Sequence, residues 1–216
     1  MTIETTDHQL PRGPIRDSIT HPDFKRALRK LLCGTKFRLL DLGCSGGGLI
    51  RSFLQEGVEF IGIEGSDHPR RMGLGEWNRC PLLLLTCDIT ESSQLEFATN
   101  EIVHFVVIKA WEVLEHIPEG RLLGLISNLV HHLRPKGYFI ASFYQTSDMD
   151  PLAGAFYHQT LKSKSWWLTQ FARHGFHELH AHPFRAQDFV RGIAVGIKDW
   201  GPGAGDGFHV VLQLGY

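Results

Sequence analysis

The stretch Leu39-Leu40-Asp41-Leu42-Gly43-Cys44-Ser45-Gly46-Gly47-Gly48 restricts the folds open to this chain more than any other. Residues 37–42 read as a short apolar strand that runs straight into glycine, and residues 47–55 read as a helix stopped by Gly57. A strand, a tight turn and a helix in succession belong to an α/β sheet, which binds ligands beyond the carboxyl ends of its strands. Glycine lets the backbone turn sharply and come close to a ligand. The helix that follows aims free N–H groups and a partial positive charge at the same spot, which suits a carboxylate.

The alternation continues along the chain. Before the glycines, residues 22–32 read as a helix, with Phe24, Ala27, Leu28, Leu31 and Leu32 at helical spacing and Gly34 as its stop. After them, residues 58–64, 81–87, 102–109 and 138–143 read as strands. Residues 119–133 form an amphipathic helix with Leu122, Leu125, Ile126, Leu129, Val130 and Leu133 on one side, broken by Arg134-Pro135-Lys136-Gly137. Strands this apolar, interleaved with helices, argue a parallel sheet covered on both faces. Toward the C-terminus, a helix over 166–174, strands over 176–184 and 208–214, and a helix over 185–197 between those strands suit an antiparallel edge. A glycine-rich loop over 201–207 reads as a lid. The architecture expected is α/β, doubly wound, with residues 1–20 as a flexible arm and 21–216 as one domain.

The 216 residues are 43% hydrophobic, enough for one core, and the formal net charge of −1 excludes the basic footprint of a general nucleic-acid binder. A structured RNA stays open as a less favoured partner. The polar first residues lack a secretory signal, and no run approaches the roughly 20 apolar residues that span a bilayer. A cytoplasmic protein without membrane contact is therefore expected. Cys33, Cys44, Cys80 and Cys87 form no CxxC pair and read as reduced thiols.

Two more strand ends add to the glycine turn. Glu64 closes the second strand in Ile61-Gly62-Ile63-Glu64-Gly65-Ser66, placed to accept hydrogen bonds from ribose hydroxyls. Asp88 follows the third in Thr86-Cys87-Asp88-Ile89, where it can accept from an adenine amino group while Ile89 packs on the ring. The three ends outline a crevice the size of an adenosine.

Asp41-x-Gly43-x-Ser45-x-Gly47, Glu64, Asp88 and Trp111-Glu112-Val113-Leu114-Glu115-His116-Ile117 together resemble the class I S-adenosylmethionine-dependent methyltransferases. The likeness is greatest to the ubiquinone-pathway O-methyltransferases and to methyltransferases of natural-product and sugar pathways. It extends over 37–143 and includes Leu133-Arg134-Pro135-Lys136-Gly137; Ser45 and Lys136 depart from the commoner glycine. The resemblance implies a Rossmann-like sheet of seven strands, mostly parallel, with the last antiparallel and helices on both faces. It also implies S-adenosylmethionine as cofactor. Asp41, Gly43, Cys44, Ser45 and Gly47 would surround the methionyl group, Glu64 and Gly65 the ribose, Asp88 and Ile89 the adenine, and Ala110 and Trp111 the sulfonium.

Methyl transfer from a sulfonium needs alignment, and an alcohol acceptor also needs its proton removed. Glu112, Glu115 and His116 stand at i, i+3 and i+4, which share one face of a helix. Three readings stay open for them: His116 as general base; a divalent metal held by Glu112, Glu115 and His116 with His158; or packing alone. The metal reading is similar to the Glu-x-x-Glu-His segment of the small-RNA 2′-O-methyltransferases of plants. Tyr144 and His158 lie where an acceptor would sit. The expected activity is O-methylation of a small-molecule or sugar hydroxyl. N-methylation or RNA 2′-O-methylation is the alternative within this fold, and an NAD-dependent oxidoreductase or a non-catalytic cofactor-binding module the alternative outside it.

Overall fold

The computed structural model describes residues 20–54, 56–147, 149–150, 155–185 and 207–215. In chain order the elements are α1 (Pro22–Leu31), β1 (Arg38–Leu42), α2 (Gly48–Leu54), β2 (Glu59–Glu64), α3 (His68–Met72), β3 (Leu84–Thr86), β4 (Phe105–Trp111), α4 (Leu122–His132), β5 (Leu133–Tyr144), β6 (Met149–Asp150), β7 (Ala155–Phe156), α5 (Lys164–Ala172), β8 (Phe176–Glu178) and β9 (Gly207–Leu214). Two 3-10 turns, Leu114–His116 and Glu119–Arg121, lie between β4 and α4.

Seven strands form one sheet in the order β3-β2-β1-β4-β5-β9-β8, and β6 pairs with β7 in a separate ribbon. β1 to β5 run parallel, and β9 runs antiparallel to both β5 and β8. The expected seven-stranded, mostly parallel α/β sheet is met, including its antiparallel last strand. The chain winds outward from β1 to β3 and then crosses back to β4 on the far side of β1. The order therefore reverses between β1 and β4, the kind of switch point at whose carboxyl ends open α/β sheets bind ligands.

Side chains alternate across the sheet and build two cores. Leu40, Leu42, Ile108, Ala110, Phe139, Ala141 and Phe143 face Leu122, Leu125, Ile126 and Leu129 of α4 and Trp167 and Phe171 of α5. Leu39, Val107, Ile140 and Val211 face Phe24, Ala27 and Leu28 of α1 and Leu49, Ile50 and Phe53 of α2. Trp167 belongs to the core, while Trp166 lies under the Lys162 ammonium.

The structure differs from the sequence reading at element ends. Only Leu84–Thr86 of the expected strand 81–87 pairs, and Leu82 is 88% exposed. A run of leucines signals burial, and here the edge position of β3 leaves part of it in solvent. The fourth strand starts at Phe105 and extends to Trp111, because β1 and β5 flank it there, and Ile102 instead bridges Glu96. Pairing along 176–184 stops at Glu178. The ribbon β6–β7 and the short helix α3 had no signal in the sequence. The arm over 1–19, the helix expected beyond Arg185 and the glycine-rich loop before Gly207 lie outside the described residues.

Candidate active site

The turn after β1 is built on left-handed backbone. Gly43 has φ 67° and Gly47 φ 76°, and a Cβ on Gly43 would sit 2.4 Å from Val113 Cγ2. The turn after β1 and the segment after β4 therefore pack directly against each other. Ser45 takes φ 50°, a conformation that favours glycine, as does Lys136 at φ 60°. The two departures from the commoner glycine thus both fall on strained backbone.

Hydrogen bonds tie this turn to β2. The Ser45 amide donates to Glu64 Oε2 at 2.8 Å, the Ser66 amide to Glu64 Oε1 at 3.3 Å, and the Cys44 amide to the Ile63 carbonyl at 3.0 Å. Backbone N–H groups thus aim the Glu64 carboxylate. No atom lies within 4 Å of a Cβ built on Gly65, so the space beside Glu64 is open. The Cys44 thiol is buried, and its pKa is raised by that burial, with the charges of Glu64 and Asp41 adding to the rise. It stays a neutral thiol that packs.

The loop between α3 and β3 closes over the turn, a contact with no sequence signal. The Gly46 carbonyl accepts from the Glu76 amide at 2.8 Å, and the Ser45 carbonyl from Trp77 Nε1 at 2.8 Å. The buried Glu76 carboxylate pairs with Arg51 at 3.1 Å and Arg79 at 3.4 Å.

Asp41 is buried and paired with Lys109, its register partner on β4; Lys109 Nζ lies 2.5 Å from Asp41 Oδ1. The ammonium also lies 5.0 Å from the Trp111 ring centroid. Sequence reasoning passed over Lys109, although a lysine inside an apolar strand signals a buried partner. Trp111 packs edge-on to Phe24 of α1 at 4.9 Å and near His21 at 6.2 Å. Ala110 is fully buried on the opposite face.

Asp88 and Ile89 begin a compact turn after β3, joined to the end of β2 through the Cys87 amide, which donates to the Glu64 carbonyl at 3.1 Å. Asp88 Oδ1 accepts from the Thr90 amide at 2.9 Å and the Thr90 hydroxyl at 2.7 Å, and Oδ2 from Arg121 at 3.1 Å. Asn128 of α4 holds the Ile89 and Glu91 carbonyls at 2.9 and 2.7 Å. The ends of β1, β2 and β3 thus adjoin, linked through Glu64.

Beyond β4 the expected helical face is not formed. Glu112 has φ 51°, and only Leu114–His116 winds, as a single 3-10 turn. The spacing of Glu112, Glu115 and His116 therefore does not stack them as an α-helix would. Glu115 is 1% exposed, and its Oε1 accepts from the Tyr144 amide at the end of β5 at 2.8 Å. The Glu115 carbonyl accepts from the Gln159 and Thr160 amides at 2.7 and 2.9 Å, and the buried Thr160 hydroxyl donates to the Ile117 carbonyl at 2.6 Å. Glu115 is a clasp that joins three segments.

That clasp brings together His116, Tyr144 and His158. The two imidazoles lie 4.8 Å apart, and the Tyr144 ring lies 5.5 Å from that of His158. His116 Nδ1 is 3.1 Å from the Tyr157 carbonyl, and His158 Nδ1 is 2.6 Å from the Thr146 carbonyl. A carbonyl can only accept, so each Nδ1 carries the proton and each Nε2 the lone pair of the neutral ring. Glu112, Glu115, His116 and His158 are not assembled as a ligand set: among the described residues no three acidic, histidine or cysteine side chains are grouped to hold a metal ion.

Residues 16–191 match the family of methyltransferase domains. No curated protein matches the sequence. Among solved structures, the chain is similar to the glycopeptide N-methyltransferase MtfA in complex with sinefungin (14% identity, 91% of this chain and 94% of that one, TM-score 0.61). It is also similar to the N-methyltransferase NodS from Bradyrhizobium japonicum WM9 with S-adenosylhomocysteine (16% identity, 88% and 85%, TM-score 0.51). A third likeness is to phosphoethanolamine N-methyltransferase 2 from Haemonchus contortus with S-adenosylmethionine (19% identity, 71% and 36%, TM-score 0.50).

Proposed function

Because the chain belongs to the methyltransferase domain family, as a class I S-adenosylmethionine-dependent methyltransferase, we propose that it methylates a hydroxyl of a small molecule or sugar with His116 as general base. The observation that carries this reading is the pairing of His116 and His158 beside Tyr144, with each Nδ1 set against a backbone carbonyl.

On the donor side, Gly43, Ser45 and Gly47 form a cradle for the methionyl group, and Glu64, held by two amides, accepts from the ribose. Ile89 lines the adenine. Asp88 serves that end through its turn, with Arg121 and Thr90 keeping its carboxylate in place. The complexes of similar proteins with S-adenosylmethionine, S-adenosylhomocysteine and sinefungin support this donor. S-adenosylmethionine supplies, when bound, a methyl group already activated by its sulfonium, which leaves alignment and proton removal to the protein.

His116 Nε2 takes the acceptor's proton as its oxygen becomes nucleophilic. The Tyr157 carbonyl keeps the ring in the needed tautomer and stabilises the imidazolium that forms. Tyr144 and His158 line the acceptor side, and Glu115 positions them without touching the reacting atoms. The N-methyltransferase neighbours favour one second reading, an amine acceptor, for which the same imidazole would remove the ammonium proton. No helix among the described residues is long and apolar enough to cross a membrane.

A His116→Ala variant tests the assignment with a panel of hydroxyl and amine acceptors and calorimetry of S-adenosylhomocysteine. Loss of 10²–10⁴-fold in turnover, the order expected of a general base, with product affinity kept, is the expected result. Unchanged turnover would remove His116 from the mechanism. Binding of NAD but not of S-adenosylhomocysteine by the unaltered protein would end the reading.

A further inference from the structure

Lys109 is a buried lysine at the foot of the donor crevice. Its side chain is 4% exposed and that of Asp41 2%, and the two are register partners on the neighbouring strands between which the sheet order reverses. Asp41 stands two residues before Gly43, where the left-handed turn begins. An ammonium carries three N–H donors. Asp41 accepts one of them at 2.5 Å, and the Trp111 ring, 5.0 Å away, offers a diffuse π face rather than a directed acceptor. Among the described residues Lys109 has no second oxygen acceptor, so a buried ammonium keeps donor capacity beside the cradle. A carboxylate next to an ammonium also mirrors the charges of an α-amino acid, whose ammonium and carboxylate lie on one carbon.

We propose that Lys109 binds the carboxylate of the donor's methionyl group, with Asp41 fixing the ammonium and facing the donor's amino group. The assignment rests on the methyltransferase reading and adds to it a residue that determines recognition of the amino-acid end. It explains why a lysine is tolerated in a strand otherwise made of Phe105, Val106, Val107, Ile108, Ala110 and Trp111. A buried carboxylate at Asp41 without Lys109 would repel the donor's own carboxylate; Lys109 cancels that charge and turns N–H donors toward the cradle.

The test compares two ligands that differ at that end: S-adenosylhomocysteine, which has the amino acid, and 5′-methylthioadenosine, which does not. Calorimetry on the full chain reads both affinities in the unaltered protein, in Lys109→Met and in Asp41→Asn/Lys109→Met. The double variant removes both charges, so a loss there does not come from a stranded carboxylate, and it carries the comparison if Lys109→Met does not fold. In either variant S-adenosylhomocysteine is expected to bind at least tenfold more weakly, with 5′-methylthioadenosine changed less than threefold. Equal weakening of both ligands would assign Lys109 a purely structural role and overturn the proposal. So would unchanged S-adenosylhomocysteine affinity in the double variant. If the unaltered protein binds neither nucleoside, the donor reading itself falls, an outcome distinct from the other two.

Discussion

Gly124 offers a substitution in which two physical effects oppose each other, and the structure decides the sign. It lies in the first turns of α4, and helix propensity alone predicts that Gly124→Ala stabilises by about 0.5–1 kcal/mol. A Cβ at this position, however, would lie 2.0 Å from the Thr90 carbonyl oxygen. An ordinary carbon–oxygen contact is about 3.3 Å, so helix and turn must part by more than ~1 Å. Neither side yields cheaply, because both are backbone. Asn128 of the same helix holds the Ile89 and Glu91 carbonyls, and Arg121, just ahead of it, holds Asp88. Forcing atoms into a packed contact costs about 1–3 kcal/mol. The clash should win, leaving a net loss of about 1–2 kcal/mol and, for a chain of this size, a fall in Tm of about 2–8 °C. Because the displaced turn carries Asp88 and Ile89, S-adenosylhomocysteine affinity should fall as well. Urea and thermal unfolding with calorimetry check both effects. Gly120→Ala is the control, since no atom lies within 4 Å of a Cβ there. A Gly124→Ala protein more stable than its parent would refute the argument that α4 is seated by this contact.

Two further outcomes are expected. His209 on β9 has its pKa lowered to about 4, chiefly by burial and secondarily by the charge of Lys164. The unfolded chain therefore binds a proton there before the folded one does, and stability present above pH ~6.5 is lost as the pH falls toward the folded pKa, by on the order of 2–3 kcal/mol. Unfolding free energies measured across that window should slope less steeply in His209→Gln, and an identical slope would contradict the assignment. Lys136→Gly relieves a φ of 60° at an exposed position near the start of β5, and it should be neutral or raise stability by up to about 1 kcal/mol in urea unfolding rather than destabilise.

The strand ends at which we place the donor could be picked out in the sequence because each is a local feature. A glycine turn, an acidic residue closing β2 and another following β3 are each set by a few adjacent residues, and parallel α/β topology then carries them to one edge of the sheet. The segment after β4, where we place the acceptor, was half legible. Helical spacing singled out Glu112, Glu115 and His116, yet φ 51° at Glu112 ends that periodicity, and the side chains part ways. Glu115 turns inward to the Tyr144 amide, 29 residues away, which no spacing rule anticipates.

What the sequence determined by itself was the alternation of the five parallel strands with their main helices, the tight glycine turn after β1, and the choice of residues at the strand ends. Those follow from local sterics and apolar periodicity. The tertiary structure alone decided that Lys109 meets Asp41, that the loop at Glu76 and Trp77 closes on the glycine turn, and that His116 meets His158. The reason is physical: a buried charge or an imidazole ring finds its partner across strands and loops distant in sequence, and only the packing of the whole sheet brings those groups within hydrogen-bonding reach.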